Sequence, residues 1–360
     1  MLTNNYETPD CPGTISVLHF LVLNKIEVVY YASTTFLHTK FIIIDGKRAS
    51  VSSINFSQAS FVRNREAGAI IEGTNAGPFM AFLQSVYEDD WARGIPLQPN
   101  ATQWNHTQLA TILNTSKIDV VLPTPGSTWK EYYVTPVPKP ITASARFMLA
   151  TAPDYAMQTL STFLGEATKT LDVMVYQITE QEVVDQIVAL AKRGVAVRLL
   201  VSSSIFGADD CASANAMYAQ LTAAGHAILK TTRHYTYSHQ KFAIVDGNSV
   251  GWSTGNLSPS DLPPNEQQAD YPPYGNSGWV KSNRDFSFYI RGSSAFAAPF
   301  QAVFDHDSDR NGTFPSKVYP WETAYQVVTR LLLSCAPPMS AGHSHVYTHP
   351  ALRHAFVDLF

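Results

Sequence analysis

The chain has 360 residues, of which 45% are hydrophobic and only 15% charged, with a formal net charge of −4. That length and apolar content suit two domains with sizeable cores, and they exclude a disordered polyampholyte, a coiled coil and a collagen-like repeat. The acidic balance provides no global basic field for nucleic acid or anionic membrane, so only a local basic patch could recruit either.

In chain order, the opening MLTNNYETPD lacks the basic n-region of a signal peptide. The apolar run 15–23 is too short to span a bilayer and meets Asn24, Lys25 and Glu27 at once. A first unit is expected over residues 1–94. Residues 95–145, with Pro123, Pro125, Pro136, Pro138 and Pro140, read as a Pro/Thr-rich linker. A second unit over 146–335 then alternates strand and helix. Arg146 to Thr151 predicts a strand, and Asp154 predicts the cap of a helix reaching about Ala167. Leu171, Val173 and Val175 alternate as a strand, and Thr179 with Glu182 predicts a capping box for a helix that Gly194 closes. Val195 to Val201 is the next strand, followed by a helix from about Ala212 to Ala224. Such alternation predicts an α/β fold with a mixed sheet flanked by helices. Residues 336–360 show no periodicity and read as a disordered tail carrying His343, His345, His349 and His354.

The cysteines Cys11, Cys211 and Cys335 form no C-x-x-C pair, so zinc and thioredoxin-like readings have no support. Sequons at Asn100, Asn105, Asn114 and Asn311 are compatible with chance or with a secretory history, and the compartment stays open.

The informative feature is an internal repeat. Residues 25–58 and 226–259 align, each running through a strand-like segment to His-x-Lys-Phe, then Asp-Gly, then a hydroxyl pair and an Asn at identical spacing. His38, Lys40, Asp45, Ser53 and Asn55 thus correspond to His239, Lys241, Asp246, Thr254 and Asn256. Each copy is followed by Asn-Arg-acid, at Asn64-Arg65-Glu66 and Asn283-Arg284-Asp285. The acidic-aromatic stretches 87–91 and 304–307 recur after each unit and read as packing. About ninety residues of the second unit precede His239, against 37 before His38. The first unit is therefore expected to be incomplete, lacking two strands and at least one helix.

Residues two apart on a strand share a face, so each unit offers an imidazole beside an ammonium. Combined, two His, two Lys and two Asn suit the oxygens of one phosphodiester, with the imidazoles as nucleophile and general acid. The lysines supply the positive charge, so no metal or cofactor is called for.

The pattern resembles the phospholipase D superfamily signature, His-x-Lys-x4-Asp-x6-Gly-Ser-x-Asn, in both copies. Both depart at the Gly, replaced by Ser52 and Ser253, and the second carries Thr254 for Ser. The resemblance implies two pseudo-symmetric units and a phosphohistidine intermediate. It implies His38 as nucleophile and His239 as acid, Lys40 and Lys241 as catalytic partners, and Ser53, Asn55, Thr254 and Asn256 on the phosphate. Glu66 and Asp285 would orient the imidazoles. Asp45 and Asp246 are family positions that also read as Asp-Gly turns. The expected substrate is a glycerophospholipid at a membrane surface, cleaved to phosphatidic acid and a headgroup alcohol. An insertion over 257–282 bearing Tyr271, Tyr274 and Trp279 suits a lipid interface. A phosphatidyltransferase of cardiolipin-synthase type, a nuclease and an inactive homologue are the alternatives. Nucleic acid is less favoured by the charge.

Overall fold

The structure, a computed structural model, describes residues 1–3, 17–18, 21–31, 36–57, 60, 64–72, 77–97, 140–143, 145–224, 227–232, 235, 237–263, 282–308 and 334–335. The sequons, most of the linker, the aromatics of the insertion and the histidines of the tail lie outside the described residues. The first unit contains β1 (Leu2–Thr3), β2 (Val29–Tyr30), β3 (Phe36–Leu37), β4 (Phe41–Ile44), β5 (Arg48–Ser52), β6 (Gly68–Glu72), α1 (Gly77–Ala92) and β7 (Ile95–Pro96). The second begins with β8 (Arg146–Ala152), α2 (Ala156–Gly165), β9 (Thr170–Val175), α3 (Gln181–Lys192), β10 (Ala196–Ser202), β11 (Ser204–Ile205) and α4 (Ala208–Ala224). It continues with β12 (Ala227–Thr232), β13 (Phe242–Val245), β14 (Ser249–Ser253), β15 (Asn283–Arg291), α5 (Ser294–Ser308) and β16 (Ser334–Cys335).

An eight-stranded mixed sheet dominates, in the order β12-β10-β9-β13-β14-β15, with β8 and β3 both on the far side of β15. β9, β10 and β12 run parallel, while β13, β14, β15 and β8 alternate antiparallel. The first unit's hairpin strands form a separate antiparallel sheet, β4-β5-β6. Its members match β13-β14-β15. Counterparts of β9, β10 and β12 are absent from it among the described residues. A third small sheet joins β1, β2 and β7.

Strand alternation sorts the core into two layers. Leu171, Val173 and Val175 of β9 face one side with Met157, Phe163, Ile187 and Tyr218 from α2, α3 and α4. Met174, Phe242, Ile244, Trp252 and Phe288 face the other, against Phe79 and Leu83 of α1, Phe304 of α5, and Ala49 and Val51 of β5. A helix of the first unit thus packs on the sheet of the second, with the Phe79 and Phe288 rings 5.3 Å apart. The β9 pattern is masked at the centre of the sheet, where both faces are covered. Even Asp172 is buried, paired with Arg198 at 2.7 Å and accepting from Gln301 of α5 at 2.8 Å.

Three local expectations differ from what is seen. Asp154 does not cap α2. Tyr155 takes that place in a left-handed conformation, and the Asp154 carboxylate instead accepts from Thr151 and Arg284. The cap of α3 is Glu180, whose carboxylate accepts from the Glu182 N–H, rather than a Thr179 box. α4 starts at Ala208, with Asp209 and Asp210 in its first turn. Cys211 on α4 is buried and disulfide-bonded. Among the described residues no helix is long and apolar enough to cross a membrane.

The acidic ends of the closing helices do more than pack. Arg65, in the first unit, donates to Asp307 of α5 at 2.9 and 3.2 Å. Arg284, in the second, donates to Asp90 of α1 at 3.1 and 3.3 Å. Each arginine therefore reaches the other unit's helix. Replacing Arg65 with Met takes the guanidinium from Asp307, which is 2% exposed and keeps His306 Nδ1 at 3.0 Å, and should cost about 3 kcal/mol in urea unfolding. Replacing Asp307 with Leu in the same chain should restore much of the loss. Equal losses in the single and double variants would show that the pair is not the source.

Candidate active site

The repeated Asp-Gly turns shape the strands that carry the motif. Asp45, Gly46, Asp246 and Gly247 have φ of 54°, 63°, 51° and 65°, the left-handed pair that a type I′ hairpin requires. Both aspartates thus sit at the turn end of their hairpins, while the histidines lie before the opposite end. Asp246 turns its carboxylate to the N–H groups of Lys169 and Thr170 at 2.8 and 2.9 Å and to the Thr168 hydroxyl at 2.6 Å. It stitches the turn to the start of β9. Asp45 and Asp246, read from the sequence both as family positions and as Asp-Gly turns, stand at positive φ in these tight turns, at the end of each hairpin away from the histidines.

Backbone pairing then brings the two histidines together. The His38 N–H donates to the Arg284 carbonyl at 3.0 Å, and the His239 N–H donates to the Arg65 carbonyl at 2.7 Å. Each histidine is thus held by the other unit's Asn-Arg-acid segment. The side chains repeat the exchange. His38 Nδ1 lies 3.0 Å from Asp285, and His239 Nδ1 lies 3.0 Å from Glu66. Both rings are partly buried, at 15% and 11% side-chain exposure, which leaves only an edge toward solvent. A carboxylate on Nδ1 fixes the proton there and leaves Nε2 for chemistry.

The acids are held in turn by hydroxyls. Ser53 donates to Glu66 at 2.6 Å, and Thr254 donates to Asp285 at 2.7 Å. Both hydroxyls are buried, at 1% and 0% exposure. Ser53 and Thr254 were expected on the phosphate. They lie behind the carboxylates instead, because a buried hydroxyl beside a buried acid satisfies both groups. Lys40 and Lys241 curl back onto the carbonyls of His38 and His239. Burial pushes Lys40 down to about 8 and Lys241 to about 7, the latter also repelled by Lys40. Asn256 has a buried side-chain oxygen without a partner among the described residues, while its backbone N–H donates to Asp261 at 2.9 Å. Asn55 lies in the matching place, partly buried.

The two imidazoles are not in the same state. Burial and Lys241 push His239 down to about 4, despite its bond to Glu66. Burial also works against charge on His38, but Asp285 and Asp261 outweigh it together with the opposing Lys40, and His38 is raised. Asp261 was missed in the sequence. It is buried, its Oδ1 lies 3.4 Å from His38 Nδ1, and it accepts from Ser258 and Asn283 at 2.6 Å each. Its signal was available, since it stands in the same register as Ser60 of the first copy. His38, Asp261 and Asp285 are the one group of such ligands within 4.8 Å of one another among the described residues. Their oxygens already accept from Ser258, Asn283, Thr254 and the imidazole. The group therefore reads as a proton-sharing cluster and not as a metal site.

Comparison with known proteins follows the same lines. A family model described as "Cardiolipin synthase, PLD-like domain" matches residues 3–91 and 160–269. The chain is 34% identical over 87 residues to a mitochondrial cardiolipin hydrolase of Chlamydomonas reinhardtii, a match covering 24% of this chain and 35% of that protein. It spans about a third of the length of that curated relative. Phosphatidylserine synthase from Haemophilus influenzae aligns with a TM-score of 0.52 at 11% identity, over 85% of this chain and 67% of that one. This likeness is one of fold. Nuc from Salmonella typhimurium, a phospholipase D family member, gives a TM-score of 0.36 at 17% identity, over 46% of this chain and 94% of its own.

The histidine environments predict how stability responds to acid. With His239 near 4 in the fold and about 6.5 unfolded, the unfolded chain binds more protons between those values. Stability from this group is present above about pH 6.5 and is lost as pH falls toward 4, by about 3 kcal/mol at most. His38, raised in the fold, contributes with the opposite sign: its share is present below about 6.5 and is lost as pH rises through its folded value. In urea unfolding between pH 4 and 7, His239→Gln should flatten the acid loss and His38→Gln should steepen it. Parallel curves for both variants would contradict the assigned environments.

Proposed function

The chain belongs to the phospholipase D superfamily, and from that premise we propose that it cleaves a phosphodiester of a glycerophospholipid through a covalent phosphohistidine. The observation that carries the reading is the crossed bonding of His38 to Asp285 and His239 to Glu66. It supports a single pocket with two oriented imidazoles, flanked by Lys40 and Lys241, whose Nε2 atoms take no hydrogen bond among the described residues. One imidazole attacks phosphorus while the other protonates the leaving oxygen, then draws the proton from the incoming water or alcohol. The lysines, whose positive charge burial weakens, are held charged beside a phosphate anion and stabilise the equatorial oxygens. In this reading Asn55 and Asn256 donate amide hydrogens to the same oxygens.

A lipid substrate is supported by the kind of relative matched, a cardiolipin hydrolase, and by the aromatic-rich insertion after Asp261. The net charge of −4 favours lipid over a polyanionic nucleic acid. The wild-type chain should release headgroup from cardiolipin or phosphatidylcholine vesicles. His38→Ala and His239→Ala should each lower the rate about 10²–10⁴-fold. Cleavage of single-stranded DNA with vesicles untouched would replace the lipid reading by the nuclease one. Inactivity of the folded chain on both would defeat the enzymatic reading.

A further inference from the structure

The two half-sites are copies, and their small differences are informative. Four positions around each acid correspond. Asn256, Ser258, Asp261 and Asn283 of the second unit match Asn55, Ser57, Ser60 and Asn64 of the first. Ser258 donates to Asp261, and Asn283 donates to Asp261 at 2.6 Å. In the first unit the Ser60 N–H donates to Ser57, and Asn64 approaches Ser60 at 3.5 Å and donates to Glu66 at 3.2 Å. The four positions are matched and the bonds between them are not: a carboxylate stands at 261 where a hydroxyl stands at 60, and it draws the Ser and Asn donors onto itself.

A second difference makes room for the first. Gly255 corresponds to Ile54. A Cβ at 255 would lie 2.8 Å from Asp285 Cγ and 3.0 Å from Asp261 Cβ, inside contact distance of both acids. The extra carboxylate of the second unit thus comes with a glycine at a position where a side chain would collide with it. Because the half-sites are crossed, the added charge falls on the first unit's histidine. His38 faces Asp285 from β15, Asp261 from the segment after β14, and Lys40 from its own segment. His239 faces Glu66, Lys241 and Lys40, with the Tyr176 ring edge-on at 5.2 Å.

We propose that Asp261 is the positioning residue that makes the half-sites unlike, so that His38, with two carboxylates against it, is the general acid and His239 is the nucleophile. This reverses the roles that the family resemblance implied, and it rests on the phosphodiesterase reading above. In the first step the His239 Nε2 lone pair forms a bond to phosphorus. The bond from phosphorus to the leaving oxygen breaks, and the proton on His38 Nε2 passes to that oxygen. In the second, His38 takes a proton from water or an acceptor alcohol, whose oxygen bonds to phosphorus as the P–N bond breaks. His239 is released neutral and His38 is again protonated, so the cycle closes without a further reactant. Burial works against charge on Asp261, but the His38 imidazole and the three donors it accepts from outweigh it and hold it anionic. Burial, and then the like charge of Asp261, push Asp285 up.

The test uses the full chain and bis(p-nitrophenyl) phosphate, whose leaving group needs no proton. His38→Ala should still release about one p-nitrophenol per chain in a burst and carry the phosphoryl group on the His239 peptide in mass spectrometry. His239→Ala should give no burst and no adduct. An adduct on the His38 peptide, or a burst from His239→Ala alone, overturns the proposal. Independently, ring-labelled histidine NMR should find His38 titrating above His239. Asp261→Ser, which copies the first unit, should lower His38 by about 1–3 pH units and leave His239 in place. Asp261→Glu should restore the separation. Should Asp261→Ser not fold, the wild-type titrations and adduct map decide, and an equal titration of the two rings overturns the proposal. A wild-type chain inert toward every phosphodiester would defeat the functional reading, and the titrations would then judge the asymmetry alone.

Discussion

The structure depends on an exchange of partners between the two units. Glu66 and Asp285 are buried carboxylates, and each finds its imidazole on the other unit's motif. The same holds one layer out, where Arg65 reaches Asp307 and Arg284 reaches Asp90. A buried charge without its counter-charge costs several kcal/mol. Neither unit can therefore bury its own acid without the other in place. Assembly of the cleft and apposition of the units are one event, and the imidazoles are oriented only when both are complete.

Hydrophobic packing supplies the driving force for that apposition, while the polar exchange supplies its register. Phe41, Phe79 and Phe82 of the first unit lie on Phe286 and Phe288 of β15. Apolar contacts of this kind are non-directional and would tolerate a slipped arrangement. The paired N–H to carbonyl bonds at Arg65 and Arg284 are less tolerant, since a slip by one residue would turn Glu66 and Asp285 away from the histidines. The cleft is also electrostatically poised. Burial lowers the lysines to about 8 and about 7, so that a phosphate anion beside them would stabilise the charge that burial opposes.

Duplication explains the architecture, and departures from symmetry explain how one chemistry can need two different imidazoles. Ser53 and Thr254 are equivalent and interchangeable as donors to the acids behind the rings. Asp261 and Ser60 are equivalent in place and not in charge. Gly255 in place of Ile54 opens the space that the extra carboxylate occupies. A like charge beside Asp285 would be costly without the three donors that stabilise Asp261 and the imidazole between them. The cluster is therefore a compact store for one proton, adjacent to one histidine and not to the other.

Much of this was written in the chain. The spacing of His, Lys, Asp-Gly and Asn specified two hairpins with type I′ turns, because only a few residue types accept left-handed φ in succession. Alternation and helical periodicity specified the strands β8, β9 and β10 and the helices between them, because one face of each had to be apolar. The repeat itself named the histidines, the lysines and the acids Glu66 and Asp285. Tertiary structure alone decided which acid serves which histidine, since hydrogen bonds between residues 173 and 247 positions apart leave no local trace. It also decided that Ser53 and Thr254 stand behind the acids, that Asp154 serves Arg284 and not a helix end, and that Asp261 joins His38. A residue's type and spacing limit what it can do; burial and the neighbours brought across the chain determine which of those things it does, because only they set the local dielectric and the nearest charge.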